Sequence, residues 1–226
     1  MDTRLWDPQV KQFSKRHRLI VVNLPGHGNS PLVMGGIPGM AKAVHDEIKA
    51  LGLQNYTVVG MSLGGMVALE ITGRWPNEVT HLVLAETVAN VADSNFGRSI
   101  AQVFLWPLRI ISPKLIAKLP ASAMGGYRRE SGLYVKKAIA KMTCKNAYAV
   151  MKAALLYDGR PLFDRIKART LVLVGKKNSH THKRALLMAD HIKGAEYSEI
   201  PDAAHILNRD QPKVFNQMVL SFIDGS

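Results

Sequence analysis

Residues 60–65 read Gly-Met-Ser-Leu-Gly-Gly, and Ser62 within them is the side chain best placed to act as a nucleophile. The frame Gly60-x-Ser62-x-Gly64 follows the apolar run Tyr56-Thr-Val-Val and precedes the helical run Met66-Val-Ala-Leu-Glu-Ile. Strand, tight turn and helix in that order make a nucleophile elbow, which lifts the serine hydroxyl clear of a sheet. The glycines let strand and helix approach while the serine sits in a strained backbone conformation. The same turn aims the Leu63 N–H at a developing oxyanion. The plainer reading is a glycine-rich turn with an incidental serine, and the flanking apolar runs favour the elbow. His205, in the stretch IPDAAHILNRDQP, follows the last strand and lies downstream of Ser62. It can take the Ser62 proton and return it to a leaving group. The other seven histidines suggest no chemistry. His180, His182 and His191 come closest to a metal cluster, but no carboxylate or cysteine completes a familiar ligand spacing, so no metal or cofactor is expected.

The elements that must position these groups alternate between strand and helix. Trp6–His17 reads as a short amphipathic helix and Arg18–Leu24 (RLIVVNL) as a strand buried on both faces. Pro25–Ser30 is a turn, Gly39–Leu51 a helix stopped by Gly52, Tyr56–Met61 the strand feeding the elbow, and Leu63–Trp75 the elbow helix. His81–Glu86 and Thr170–Gly175 are further buried strands. His182–Lys193 is helical, Glu196–Ile200 a short strand and Pro212–Ile223 the last helix. Such alternation implies parallel strands with crossover connections. Between Val88 and Asp164 no strand is legible, and apolar residues recur at helical spacing through Ile100–Leu119 and Tyr134–Leu155. The expected organisation is a core of residues 1–87 and 165–226 with a helical cap at 88–164. Phe104, Trp106, Met124, Tyr127, Met142, Met151 and Tyr157 either line an acyl pocket or form the cap's own core, the commoner use of such residues.

A chain of 226 residues, 47% hydrophobic, can bury one sizeable α/β core. The net charge of +13 favours anionic substrates, anionic membrane surfaces or nonspecific nucleic-acid contact. Its plainest meaning is a solvated lysine-rich surface. No nucleic-acid module accompanies the charge, so specific nucleic-acid binding is not expected. The single Cys144, the charged first residues and the lack of any stretch near 20 apolar residues point to a cytoplasmic protein without a membrane span.

Four stretches, VVNLPGHGNS, VVGMSLGGMVALE, TLVLVG and IPDAAHILNRDQPKVFNQMVLSFI, run in an order that resembles the α/β-hydrolase superfamily, its esterase, lactonase and haloperoxidase-like branch. The resemblance covers nearly the whole chain. It implies a mostly parallel sheet flanked by helices, with a helical cap, and a Ser–acid–His triad. It also implies an aspartate three residues after Gly175, where Asn178 stands. Asparagine carries no charge with which to stabilise an imidazolium, and such an exchange in a protease triad lowers turnover about 10⁴-fold. Glu86, at the end of the strand after the elbow strand, is the substitute acid that some superfamily members use. Its alternative role is to cap that strand. Asn23 stands where the family has an aspartate that does not touch the reacting atoms, so only a structural effect is expected there.

The resemblance further implies an antiparallel strand pair and a third strand ending in a His-Gly oxyanion loop before Trp6. Nothing here matches them, so the expected sheet is N-terminally truncated and short of one oxyanion donor, worth about 3–4 kcal/mol. The third strand would separate Arg18–Leu24 from Tyr56–Met61. Direct pairing of those two strands, or closure by self-association, is expected over an exposed gap, because unpaired strand edges are costly. Two functions fit. One is a serine hydrolase acting on a small-molecule ester, lactone or thioester through an acyl-enzyme, with Ser62, His205, Glu86 and the Leu63 N–H as its machinery. The other is a degenerate relative that binds a ligand or partner without turnover.

Overall fold

The computed structural model describes residues 1–225, and the side chains of all of these except Asn95, Phe96 and Phe104. Its centre is a four-stranded parallel sheet in the order β1 (Tyr56–Met61), β2 (Val79–Ala85), β3 (Arg169–Gly175), β4 (Glu196–Ile200). The middle strands are near-continuous apolar runs because helices cover both faces. Leu82, Val83, Leu84, Leu173 and Val174 are all completely buried.

One helical layer holds α2 (Gly36–Ala50), α3 (Leu63–Arg74) and α8 (Ser179–His191), packed around Met40, Leu69, Ile71 and Met188. The other holds α1 (Asp7–Phe13) and α10 (Pro212–Asp224), with Phe13, Phe215 and Val219 against Val83 and Leu171. A buried amide network joins this second layer. Gln9 Nε2 donates to Asn216 Oδ1 at 2.9 Å, and Asn208 Nδ2 donates to Gln9 Oε1 at 3.0 Å.

Between β2 and β3 the chain is helical: α4 (Asn95–Leu105), α5 (Pro113–Ile116), α6 (Arg129–Ile139) and α7 (Cys144–Leu156), with 3₁₀ turns at Trp106–Arg109 and Ala121–Met124. α7 lies against α2 on one side and against α4 and the Trp106–Arg109 turn on the other. The apolar residues of this insertion do not converge on one pocket. Tyr157 and Met142 join the α3 side of the core, Met124 joins the α10 side, and Trp106, Tyr127 and Met151 are exposed. The Phe104 side chain lies outside the described residues.

One expected strand does not form. Arg18–Leu24 belongs to no ladder, and Leu19–Asn23 make no backbone hydrogen bond among the described residues. Ile20, Val21 and Val22 are 42%, 36% and 39% exposed, where a strand buried on both faces was expected. Neither does this segment pair directly with β1. A cavity of about 510 Å³ separates them, lined by Leu19, Val21, Val44, Val59, Val67 and Ile71 among others.

The physical reason is spacing. A ladder needs neighbouring strands about 4.8 Å apart, and the cavity between Arg18–Leu24 and β1 keeps them from that approach, with no other described segment entering the space. β1 is therefore an edge strand. The Tyr56 and Ser62 amides donate toward β2, to Glu78 O at 3.0 Å and Ala85 O at 3.0 Å. Because main-chain groups alternate along a strand, Thr57, Val59 and Met61 turn theirs into the open slot.

Candidate active site

Ser62 sits between the last residue of β1 and the first of α3, with φ +54° and ψ −123°. A non-glycine residue there stores about 1–3 kcal/mol of strain, which persists only where the surroundings over-determine it. Here they do. The Ser62 N–H donates to Ala85 O at 3.0 Å, the Thr87 Oγ1 hydroxyl donates to Ser62 O at 2.7 Å, and the Gly65 and Met66 amides reach the same oxygen at 2.9 and 3.3 Å. Two glycines permit the packing. A Cβ on Gly60 would overlap the Gly64 carbonyl and lie 2.7 Å from Gly65 Cα, and one on Gly65 would lie 2.5 Å from Thr87 Cβ. Gly64 is different, since a Cβ there would meet nothing nearer than Leu24 Cδ1 at 3.8 Å. The sterically required glycines are thus Gly60 and Gly65. The Leu63 N–H, at the start of α3, has no acceptor among the described residues.

His205 lies on the loop between β4 and the short helix α9 (Leu207–Asp210). Its Nε2 is 3.0 Å from Ser62 Oγ, and its Nδ1 is 3.4 Å from Glu86 Oε2. Glu86 follows β2 at φ +45°, a second strained non-glycine residue, and its side chain is fully buried. Its carboxylate is saturated with donors. Oε1 accepts from the Gly175 N–H at 2.6 Å, and Oε2 accepts from Asn178 Nδ2 at 2.7 Å and Thr181 Oγ1 at 2.9 Å. A buried carboxylate that accepts from that many donors is held in one place. Asn178 makes no hydrogen bond to His205. Ser62, His205 and Glu86 therefore come together, with Asn178 beside Glu86.

Three further residues hold this arrangement and are not singled out by the sequence motifs. Thr87 locks the Ser62 carbonyl, and Thr181 holds Glu86. Asp210, completely buried, accepts from the Ala204 N–H at 3.0 Å and from the Tyr127 and Arg128 N–H groups at 2.9 Å each. It thereby ties the His205 loop to the insertion between β2 and β3. Its signal was available as an acid inside the NRDQP turn, but its partners are up to 83 residues away. The remaining candidates are placed apart. His182 Nε2 contacts Gly175 O at 3.1 Å and His191 Nδ1 contacts Leu187 O at 2.9 Å. Asn23 Oδ1 accepts from the Thr3 N–H at 2.9 Å, a structural tie. The slot beside β1 is lined by Gly60, Met61, Leu63 and Gly64 but not by Ser62 or His205, so it lies behind the hydroxyl rather than in front of it.

A parallel sheet whose strand-to-helix turn carries a strained serine, met by a histidine from the loop after the last strand, defines a hydrolase-type α/β fold. Residues 2–218 match the Alpha/beta hydrolase family, and the chain belongs to it. It is 24% identical over 223 residues to 3-oxoadipate enol-lactonase 2 of Acinetobacter baylyi, covering 95% of this chain and 82% of that one. It is 24% identical over 244 residues to the pimeloyl-[acyl-carrier protein] methyl ester esterase of Neisseria meningitidis, covering 98% of this chain and 89% of that one. A thermophilic esterase from Thermogutta terrifontis shares the fold with a TM-score of 0.88 at 22% identity, over 100% of this chain and 86% of the other.

Proposed function

We propose that this chain is a serine hydrolase that cleaves a carboxylic ester, lactone or thioester of a small molecule through an acyl-enzyme, with residues 88–164 as its cap. The observation that carries the proposal is the line of contacts from Ser62 Oγ through the His205 ring to the buried Glu86, at 3.0 and 3.4 Å. His205 Nε2 takes the Ser62 hydroxyl proton as Oγ attacks the carbonyl carbon. The oxyanion faces the Leu63 N–H, a role supported by that group's lack of an acceptor among the described residues. Collapse breaks the carbonyl–oxygen or carbonyl–sulfur bond, and His205 hands its proton to the departing alcohol or thiol. Water then repeats the sequence on the acyl group, returning the proton to Ser62. Glu86 holds the His205 ring with its proton on Nδ1 and balances the imidazolium. The lactonase and the two esterases above support this substrate class. The lone Cys144 supports a cytoplasmic location.

A fluorophosphonate probe tests the proposal. Stoichiometric labelling of the native protein that is lost in Ser62→Ala is expected, and no labelling would overturn it. The slot beside β1 favours a second reading, a hydrolase-fold protein that binds a ligand or a second copy of itself without turnover. That reading requires an unreactive Ser62, so the same probe separates the two.

A further inference from the structure

The charge of this protein is not evenly spread. Between Asp93 and Asp158 there are eleven lysines and arginines and one carboxylate, Glu130, so this stretch of the insertion carries a net +10 in a chain of net +13. The same segment holds a run of exposed large apolar side chains. Val103 is 71% exposed, Ile110 67%, Trp106 56% and Leu115 54%, with Ile100, Ile111 and Leu119 exposed beside them. α4 and the Trp106–Arg109 turn lie outside α7, which separates α4 from the core helix α2, and α5 follows them against α6. Lys114 and Lys118 alternate with Leu115 and Leu119. With Lys145 they are exposed and have no carboxylate partner among the described residues.

We propose that this outer layer, from Ile100 to Leu119, docks the protein on an anionic lipid bilayer, without spanning it. Seven large apolar side chains within 20 residues form a surface that monomeric proteins seldom leave in water. A purely electrostatic face for nucleic acid has no use for them. A bilayer interface uses both features at once. Trp106 and the aliphatic residues enter the headgroup–acyl boundary, while lysine stems lie along them and the ammonium groups stay at the phosphates. The missing carboxylates remove the repulsion that would oppose an anionic surface. No helix among the described residues is long and apolar enough to cross a membrane, which agrees with docking at the interface. The proposal does not depend on Ser62, so Ser62→Ala should bind as the unmodified chain does.

Vesicle co-sedimentation tests it, comparing phosphatidylcholine alone with phosphatidylcholine containing a third phosphatidylglycerol. Binding is expected to the anionic vesicles only, and to fall as NaCl rises from 50 to 500 mM. Lys114→Gln with Lys118→Gln should weaken it about 25-fold, from about fivefold per lysine near the surface. Ile110→Ser should weaken it further while leaving the circular dichroism unchanged. Trp106 fluorescence, isolated by subtracting the Trp106→Phe protein, should shift to the blue on binding. Three results would each overturn the proposal: no sedimentation with anionic vesicles at 50 mM NaCl, an unshifted Trp106 in protein that does sediment, or equal binding by the Lys114/Lys118 variant. Full competition by soluble polyglutamate with no Trp106 shift would assign the face to an acidic macromolecule instead.

Discussion

Glu86→Gln is the substitution that most sharply separates a catalytic carboxylate from a structural one. The side chain keeps its shape, so the effect comes from one charge and one donor. Oε1 faces the Gly175 N–H at 2.6 Å, a backbone donor that cannot turn away, so the glutamine oxygen must remain there. Its NH₂ then occupies the Oε2 position. Asn178 can flip and the Thr181 hydroxyl can rotate to accept from it, but His205 Nδ1 can accept only by losing its proton. The ring is driven to the tautomer with hydrogen on Nε2, which cannot receive the Ser62 proton. The magnitude has two routes. Opposite unit charges 3.4 Å apart interact by about 5 kcal/mol at an effective dielectric of about 20, and the partial exposure of His205 lowers this to about 3. The protease precedent of about 10⁴-fold corresponds to about 5.5 kcal/mol. A loss of about 10²- to 10⁴-fold is therefore expected in the second-order rate of fluorophosphonate labelling at pH 8. Thermal unfolding of the same samples would show that the fold survives. A Glu86→Gln protein that labels within threefold of the unmodified chain would refute the reasoning and leave Glu86 as a strand cap.

Asn178→Asp should lower the labelling rate rather than raise it, because it would place a second carboxylate 2.7 Å from Glu86 Oε2; faster labelling would mean that residue 178 can reach His205 directly. Ser62→Gly should be more stable than Ser62→Ala by about 1–2 kcal/mol, since glycine relieves the strain at φ +54°, and equal melting temperatures would deny that strain. Asp210→Ala should cost more than about 3 kcal/mol in denaturant unfolding, because three N–H groups lose a completely buried, charged acceptor; a cost under 1 kcal/mol would remove its role as the tie between the His205 loop and the insertion. Burial pushes His27 down from 6.5 to about 4, so the unfolded chain takes up that proton first. Stability should fall by about 3 kcal/mol as the pH drops from 6.5 to 4, and His27→Gln should flatten that part of the profile.

The parts legible in the sequence are those fixed by local pattern. β1 and β4 match the expected bounds, and β2, β3, α3 and α10 match within one or two residues, because buried parallel strands are short apolar runs and their helices carry clear stops. Ser62 and His205 were legible for the same reason, each tied to the end of a strand. Glu86 and Asn178 could not be ranked without coordinates. Both follow strands, and only the packing of β2 beside β3 turns Asn178 onto Glu86 instead of onto His205. Arg18–Leu24 shows the opposite failure. Its residues are as apolar as those of β3, yet a strand exists only where a neighbour supplies a ladder, and composition carries no information about the neighbour.

The open slot and the strained serine lie on opposite sides of the same strand, and the contacts that hold each explain how both can exist together. Among the described residues, the backbone bonds that fix Ser62 come from β2, Thr87 and the first turn of α3, and the donors that fix the Glu86 carboxylate come from β3, Asn178 and α8. None comes from the side of β1 that faces the slot. Ser62 and its partners are thus preorganised by the closed half of the sheet, while the other half leaves the Thr57, Val59 and Met61 amides unpaired. Hydrogen exchange can read this division directly. Val58 and Gly60, turned toward β2, should be protected to near the global stability. Thr57, Val59 and Met61 should exchange at least about 100-fold faster, because no opening of the sheet is needed to expose them. Uniform protection along β1 would mean that a strand fills the slot in solution. In that case a second copy of the chain is the simplest source, and the protection of the three amides would fall as the protein is diluted.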